Sequence, residues 1–165
     1  MKNIFAVIVS LVLALTCMPV LAAGTDVKLD DFAVKTIDGK DFTLSEALKD
    51  HALVLINLWA TWCPPCKAEF PFLQEAWSEN SDRVAVIALS VEPTDTESKL
   101  QSYARVMELT FPIANVGDTG LDSFVTTGIP TTVLVDRNGN VVSVDVGAKF
   151  STKEFQDLFD QYIAK

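Results

Sequence analysis

The sequence predicts an α/β fold in which a mixed β-sheet is flanked by helices and preceded by a short β-hairpin. Apolar runs typical of fully buried strands occupy residues 52–59, 83–91 and 131–136. Segments with helical spacing follow these runs, which is the order that produces parallel strands joined by helical crossovers. The dipeptides Asp38-Gly39 and Asn138-Gly139 mark tight turns between antiparallel strands.

The first predicted elements are the hairpin and a short helix. The hairpin is expected over residues 32–36 and 40–44, with Asp38-Gly39 at its turn. Ser45 then stands where a side chain can cap a helix that runs through residue 48. His51 comes just before the first long apolar run, so we expect it on the surface, far from the cysteines.

The motif WCPPC, residues 62–66, follows directly after that buried strand. From residue 66 to about residue 77 the spacing of apolar residues is helical, with Phe70, Leu73 and Trp77 on one face. Pro71 lies within this helix and should kink it, because proline has no amide donor. The two cysteines are therefore expected where a buried strand ends and a helix begins.

The remaining elements continue the same order. They are a strand at 83–91, a helix at 96–108, an extended piece at 111–114, a helical turn at 120–125, strands at 131–136 and 141–146, and a last helix. The last helix opens with the capping box Ser151-Thr152-Lys153-Glu154. Its apolar face is formed by Phe155, Leu158, Phe159 and Tyr162.

Residues 1–23 have the pattern of a secretory signal peptide, so residues 24–165 are predicted to form the folded domain. Lys2 is followed by an apolar run over residues 4–15 and then by small residues. Two alternatives stay open: an uncleaved membrane anchor of about 20 apolar residues, or lipidation of Cys17, although the residues before it make a poor lipoprotein box. All three place the domain outside the cytoplasm, in a periplasmic or equivalent compartment.

The charge balance excludes some partners. The chain carries 13 Lys plus Arg against 22 Asp plus Glu, a net charge of −9. This disfavours nucleic acid and anionic lipid as partners, and the scattered acidic residues indicate a solvated surface. A domain of roughly 140 residues is large enough to bury its own core. We expect a monomer that binds no nucleic acid.

Cys63 and Cys66 are the only cysteines of the predicted domain, and the pair has three conceivable uses. A structural disulfide between them would close a very short loop and so would stabilise the fold little. A structural zinc site requires four ligands, and besides this pair the domain has one histidine, His51. A redox pair needs a thiolate at a helix N-terminus and a second thiol one turn later, which this spacing provides. The redox use is the predicted one, without metal or cofactor.

The two prolines between the cysteines affect the redox balance. Neither Pro64 nor Pro65 has an amide hydrogen, so two donors that might stabilise a Cys63 thiolate are missing. A less stabilised thiolate means a less stabilised reduced form. We therefore expect only a moderately lowered Cys63 pKa and a reducing couple.

The stretch from Trp59 to Lys67, WATWCPPCK, resembles the redox motif of the thioredoxin superfamily, and the order of elements matches over nearly the whole domain. The chain is most similar to the extracytoplasmic TlpA/ResA-like branch, through its signal segment, DFAVKTIDGKDFTLSE, WCPPCKAEFP and GIPTTVLVDRNGNVV. The resemblance implies a thiol:disulfide oxidoreductase that reduces protein disulfides, often in cytochrome c maturation. It also implies client proteins with disulfides and a membrane electron donor as partners.

The resemblance further assigns roles to individual residues. Cys63 would be the nucleophile and Cys66 the resolving cysteine. Gly128-Ile129-Pro130-Thr131 matches the family's loop with a cis-proline, where backbone around Ile129 pairs with substrate. Pro71 matches the kink proline, Trp59 a core residue, and Trp62 an aromatic that covers the disulfide. The residues expected to contact substrate are Trp62, Pro64, Pro65, Ile129 and Pro130.

Asn57 and Glu69 are two further positions of interest. Asn57 stands six residues before Cys63, where thioredoxins proper carry a buried Asp. Glu69, three residues after Cys66, matches a glutamate of ResA-like proteins and is a candidate proton acceptor for Cys66. An ordinary solvated helix glutamate is the alternative.

Other functions for the pair stay open. An oxidant or isomerase would use the same residues with a different reduction potential. A copper(I) metallochaperone is compatible with soft thiolates, but His51 does not obviously supply a further ligand. A peroxidase of this fold would need a proline upstream of Thr61, and none stands at the matching place.

Overall fold

A computed structural model describes residues 27–163; the predicted signal peptide and Cys17 lie outside this range and stay predictions. The strands are β1 (Ala33–Lys35), β2 (Asp41–Thr43), β3 (Leu53–Trp59), β4 (Val84–Ser90), β5 (Ile113–Asn115), β6 (Thr131–Asp136) and β7 (Val141–Val146). The helices are α1 (Leu44–Asp50), α2 (Pro64–Asn80), α3 (Glu97–Val106) and α4 (Thr152–Ile163), with a 3-10 turn at Leu121–Phe124. Within residues 27–163, no helix combines the length and apolar composition needed to cross a bilayer.

Five strands form the central sheet in the order β5-β4-β3-β6-β7. β3 pairs in parallel with β4, and β4 with β5, because α2 and α3 provide the crossovers. β6 and β7 run antiparallel to their neighbours. The separate hairpin β1-β2 precedes the sheet. The predicted mixed sheet with an N-terminal hairpin is confirmed.

The sheet is covered on both faces, which explains why its central strands are continuous apolar runs. All seven residues of β3 and all seven of β4 are buried. On one face Leu55 and Trp59 pack against Phe70 of α2 and Phe155 of α4. The opposite face packs against α1 and the hairpin. The cysteine motif therefore follows directly after the end of a rigid, buried strand.

Helix α2 begins two residues earlier than the apolar spacing predicts. Pro64 and Pro65 occupy its first positions, where a missing amide hydrogen costs no intrahelical bond. Pro71 lies inside the helix as expected. Because the helix starts at Pro64, Cys63 becomes its N-cap residue.

The predicted cap of α1 is wrong, whereas the capping box of α4 is confirmed with a variation. Ser45 lies within α1, and its amide and hydroxyl donate to the Asp31 carboxylate at 2.9 and 2.7 Å. Asp31 thus takes the capping role from fourteen residues away. At α4, Ser151 Oγ accepts from the Glu154 amide, while the Glu154 carboxylate accepts from the Ser151 hydroxyl and the Phe150 amide.

Candidate active site at the junction of β3 and α2

Cys63 and Cys66 form a disulfide at the N-terminus of α2. Cys66 is fully buried, while Cys63 keeps 2% of its surface exposed and lines an open groove. Cys63 Sγ accepts a hydrogen bond from the Cys66 amide at 3.2 Å. Since Pro64 and Pro65 lack amide hydrogens, the first backbone donor of the helix that can reach this sulfur is Cys66. Cys63 therefore reaches the surface of the groove, whereas Cys66 lies behind it with no exposed surface.

The loop before β6 forms one side of the site. The Ile129–Pro130 peptide bond is cis, as the resemblance implies. The Ile129 carbonyl oxygen lies 3.7 Å from Cys63 Sγ. The Thr131 hydroxyl donates to the Gly128 carbonyl at 2.7 Å and closes the loop on itself. The cis-proline loop and Cys63 are therefore in contact.

The groove beside Cys63 is apolar and has a volume of about 400 Å³. Its lining is Trp62, Cys63, Pro64, Pro65, Val91, Val125, Gly128 and Ile129. Val91 and Val125 were not predicted, because nothing local marks them and only the fold brings them beside the cysteine. The Trp62 side chain stands at the rim, 60% exposed, with its indole N–H donating to Glu92 Oε2 at 2.7 Å.

Glu69 is fully buried, so the alternative of a solvated helix glutamate is wrong. Asn57 Nδ2 donates to its Oε1 at 2.8 Å, and the Lys149 amide donates to its Oε2 at 3.1 Å. Burial raises the pKa of Glu69 to about 7, although both hydrogen bonds and the nearby Lys149 charge favour ionisation. A carboxyl group whose pKa is about 7 therefore lies one helical turn beyond Cys66.

Asp95 is a second buried carboxyl, which the sequence reasoning missed. It accepts hydrogen bonds from the Thr61 amide at 2.9 Å, the Thr61 hydroxyl at 2.5 Å and the Ser90 hydroxyl at 2.7 Å. Lys99 Nζ lies 2.5 Å from its Oδ1. Burial opposes ionisation, but the hydrogen bonds from Lys99, Thr61 and Ser90 outweigh it and hold the pKa of Asp95 below its ordinary value. Asp95 fixes the loop that leads into Cys63.

The structure shows where the residues considered for the metal and peroxidase alternatives lie. Within the described part of the chain, no group of three or more His, Cys, Asp or Glu side chains could hold a metal ion. His51 follows α1 and bonds through Nδ1 to the Ala47 carbonyl, at the opposite end of β3 from Cys63. The Thr61 hydroxyl is directed at Asp95.

A mixed five-stranded sheet, a Cys-Pro-Pro-Cys disulfide at a helix N-terminus and a cis-proline beside it together define a thioredoxin-like thiol-disulfide oxidoreductase. Residues 25–144 match the AhpC/TSA family, and the chain belongs to that family.

Named relatives agree with this class. The thioredoxin-like protein YneN of Bacillus subtilis (strain 168) is 32% identical over 132 residues, covering 79% of this chain and 75% of YneN. The thiol-disulfide oxidoreductase ResA of Bacillus anthracis is 32% identical over 126 residues, covering 75% of this chain and 69% of ResA.

Solved structures agree as well. The crystal structure of a thiol:disulfide interchange protein of the thioredoxin family from Chlorobium tepidum TLS matches with a TM-score of 0.74 at 26% identity, covering 86% of this chain and 99% of that one. The predicted fold, the superfamily resemblance and the assignment as an enzyme are confirmed. The protein is a thiol-disulfide oxidoreductase and acts on disulfide-containing substrates.

Proposed function

We propose that this protein reduces disulfides of client proteins outside the cytoplasm, with Glu69 as the proton acceptor of the resolving step. The observation that carries the proposal is the position of Glu69, a buried carboxyl whose pKa is about 7, one helical turn after Cys66. A general base is most effective when its pKa lies near the working pH. Glu69 meets that requirement, whereas a solvated glutamate would not.

The reaction begins with the reduced enzyme. The Cys63 thiolate attacks one sulfur of the client disulfide, a mixed disulfide forms, and the other client sulfur leaves as a thiolate. The Cys66 thiol then transfers its proton to the Glu69 carboxylate and attacks Cys63 Sγ. The second client sulfur leaves, and the Cys63–Cys66 disulfide remains. The client is reduced by two electrons and the enzyme is oxidised by two.

The groove supports a peptide as the substrate. The cis-proline loop brings the Ile129 carbonyl to 3.7 Å from Cys63 Sγ, where an extended client segment can pair with the backbone. Trp62, Pro64 and Pro65 supply apolar contacts beside it. We further propose a location outside the cytoplasm, as the signal-like segment suggests, and, as the family resemblance of the motifs implies, a membrane electron donor and a role in cytochrome c maturation.

The resolving step is tested with Glu69→Gln in single-turnover reactions with a disulfide substrate across pH 5 to 9. We expect the wild-type resolution rate to rise in a step near pH 7. The variant should lose that step and react about a hundredfold more slowly at high pH, the low end of a positioned general base. Glu75→Gln, an exposed glutamate of the same helix, is the control. An unchanged profile in Glu69→Gln ends the assignment.

The direction of exchange is tested by the reduction potential against glutathione. With Pro64 and Pro65 withholding two amide donors from Cys63, we expect a value near that of thioredoxin, about −270 mV, rather than the roughly −120 mV of a strong oxidant. A value of roughly −120 mV would make the protein an oxidant.

The client is identified by a second experiment. Trapping the mixed disulfide of a Cys66→Ala protein in cells would show which protein is attached to Cys63.

A further inference from the structure

Behind Glu69, two buried side chains carry polar atoms that the catalytic scheme does not use. Asn57 of β3 and Thr132 of β6 are both fully buried. Among residues 27–163, neither Asn57 Oδ1 nor Thr132 Oγ1 finds a hydrogen-bond partner. The two residues stand directly opposite each other in the β3–β6 register, which places their Cβ atoms about 4.5–5.5 Å apart. The two unpaired atoms therefore belong to neighbouring side chains.

A carboxyl group that changes its protonation state needs a partner that can change with it. A carboxylate only accepts hydrogen bonds, whereas a carboxylic acid also donates one. An amide has a donor end and an acceptor end, so a half-turn of the Asn57 side chain presents either end to Glu69. The same rotation also changes which of the two amide atoms, Oδ1 or Nδ2, faces away from Glu69. A hydroxyl group can donate to Oδ1 or accept from Nδ2, so it can bond to the amide in either orientation.

We propose that Glu69, Asn57 and Thr132 form a hydrogen-bond chain whose direction reverses when Glu69 gains or loses its proton. With Glu69 ionised, the Thr132 hydroxyl donates to Asn57 Oδ1, and Asn57 Nδ2 donates to Glu69 Oε1, the bond seen at 2.8 Å. With Glu69 protonated, its O–H donates to Asn57 Oδ1, and Asn57 Nδ2 donates to Thr132 Oγ1. The span between Asn57 and Thr132 is closed by a small side-chain adjustment or by one water molecule.

In this chain Asn57 and Thr132 are positioning residues. The proton itself travels only from Cys66 to Glu69, and no covalent bond of Asn57 or Thr132 changes. Both act by keeping Glu69 hydrogen-bonded before and after it takes the proton, in a place where an unpaired polar group is costly. The inference rests on the proposed role of Glu69 as proton acceptor.

The remaining surroundings of Glu69 direct this chain to one of its two oxygens. The Lys149 amide occupies Oε2, and the Lys149 ammonium favours the ionised form of the carboxyl. That ammonium lies 3.9 Å from Asp145. On its own helix, Glu69 follows Cys66 by one turn, and on β3 its neighbour is the uncharged Asn57. Oε1 is accordingly the oxygen that faces the chain.

The test uses NMR on the oxidised protein, in which no turnover occurs, with labelled Glu carboxyl carbons and Asn side-chain amides between pH 5 and 9. In the wild type, we expect nuclear Overhauser contacts of the Asn57 amide protons to move from Glu69 to the Thr132 methyl group as Glu69 becomes protonated. Asn57 contacts that stay on Glu69 at both ends of the range overturn the proposal. This measurement needs no variant.

Variants of Thr132 provide the second readout. Thr132→Val removes the hydroxyl at nearly constant shape, and Thr132→Ser keeps it. Because the hydroxyl polarises the amide that donates to the carboxylate, its loss should raise the Glu69 titration midpoint by about half a unit to one unit. Thr132→Ser should return the midpoint to the wild-type value. A midpoint in Thr132→Val equal to that of the wild type contradicts the chain.

These outcomes separate the chain from the proposed catalytic role. If the NMR contacts reverse but Glu69→Gln reacts like the wild type, the chain stands and the proton-acceptor role of Glu69 fails. If Glu69→Gln loses its pH step while the Asn57 contacts do not move, the catalytic role stands and the chain fails.

Discussion

Two buried carboxyl groups lie near the redox pair. Asp95 bonds to Thr61, which precedes Cys63, and Glu69 lies in α2, one turn after Cys66. Both have lost contact with water, yet their pKa values move in opposite directions. The pKa of Asp95 lies below its ordinary value, whereas that of Glu69 is raised to about 7.

The difference comes from the donors around each group. Burial disfavours the charge of both carboxylates. Asp95 receives three hydrogen bonds from Thr61 and Ser90 and a fourth from the Lys99 ammonium, which together outweigh burial. Glu69 receives two neutral donors, and burial prevails. A carboxylate that keeps its charge is suited to brace a loop, and one that titrates near pH 7 is suited to exchange a proton.

The largest effect is expected from Asp95→Ala. It leaves Thr61, Ser90 and Lys99 without their shared acceptor, and we expect the free energy of unfolding at pH 7 to fall by about 4 kcal/mol. Urea denaturation measures this. Because the folded pKa of Asp95 is lowered, its contribution is complete above the ordinary value and is lost as the pH falls through the folded value. The difference between the variant and the wild type should therefore shrink below about pH 3.8.

The control for this prediction is Asp157→Asn. Asp157 also pairs with a lysine four positions away, Lys153 at 2.5 Å, but both side chains are mostly exposed. Such a pair contributes little, so a change within about 0.5 kcal/mol is expected. If Asp95→Ala and Asp157→Asn cost the same, burial and donor number do not distinguish the two aspartates.

A slightly smaller effect of opposite sign is expected from Glu69→Gln. The folded pKa of Glu69 is about 7, against an ordinary value of 4.5, so the wild type loses stability as the pH rises from 4.5 to 7. The glutamine variant has no ionisable group at this position, so its stability should not fall over this pH range. At pH 8 we expect Glu69→Gln to be more stable than the wild type by about 3 kcal/mol, and at about pH 4.5 to be nearly equal.

Denaturation curves at several pH values check this prediction, with Glu75→Gln as the exposed control on the same helix. Equal stability of Glu69→Gln and the wild type at pH 8 would show that ionisation of Glu69 costs no folding free energy. In that case the contrast with Asp95 would be lost.

Much of the fold could be predicted because its signals are local. β6 and β7 have the predicted bounds, since each is an apolar or alternating run flanked by turn residues. The start of α2 was placed two residues late, because Pro64 and Pro65 fit a first turn without adding to its apolar spacing. The cap of α1 was missed because Asp31 acts from a distant place in the chain.

The same distinction applies to the site. The position of Cys63 and Cys66 at the junction of a strand and a helix could be predicted, because the motif and its flanking elements are contiguous in the chain. The hydrogen-bond partners of the buried Glu69 carboxyl, Asn57 and Lys149, are twelve and eighty residues away, so the spacing of Glu69 in the helix could not reveal its environment. Asp95 meets Thr61 across 34 residues and carries no local motif. Long-range partners decide what a buried carboxyl does, and a sequence pattern records only neighbours.

Glu92 offers the smallest effect and completes the comparison, because it lies in the same loop as Asp95 but is only partly buried. Its carboxylate accepts from the Trp62 indole, and this hydrogen bond lowers the pKa of Glu92. Glu92→Gln keeps an acceptor oxygen, so we expect no measurable change in unfolding. The KM for a peptide disulfide should rise roughly twofold with kcat unchanged, since only the orientation of Trp62 at the groove is loosened. A loss of stability comparable to that of Asp95→Ala would mean that this loop is held by its charge rather than by the buried donors around Asp95.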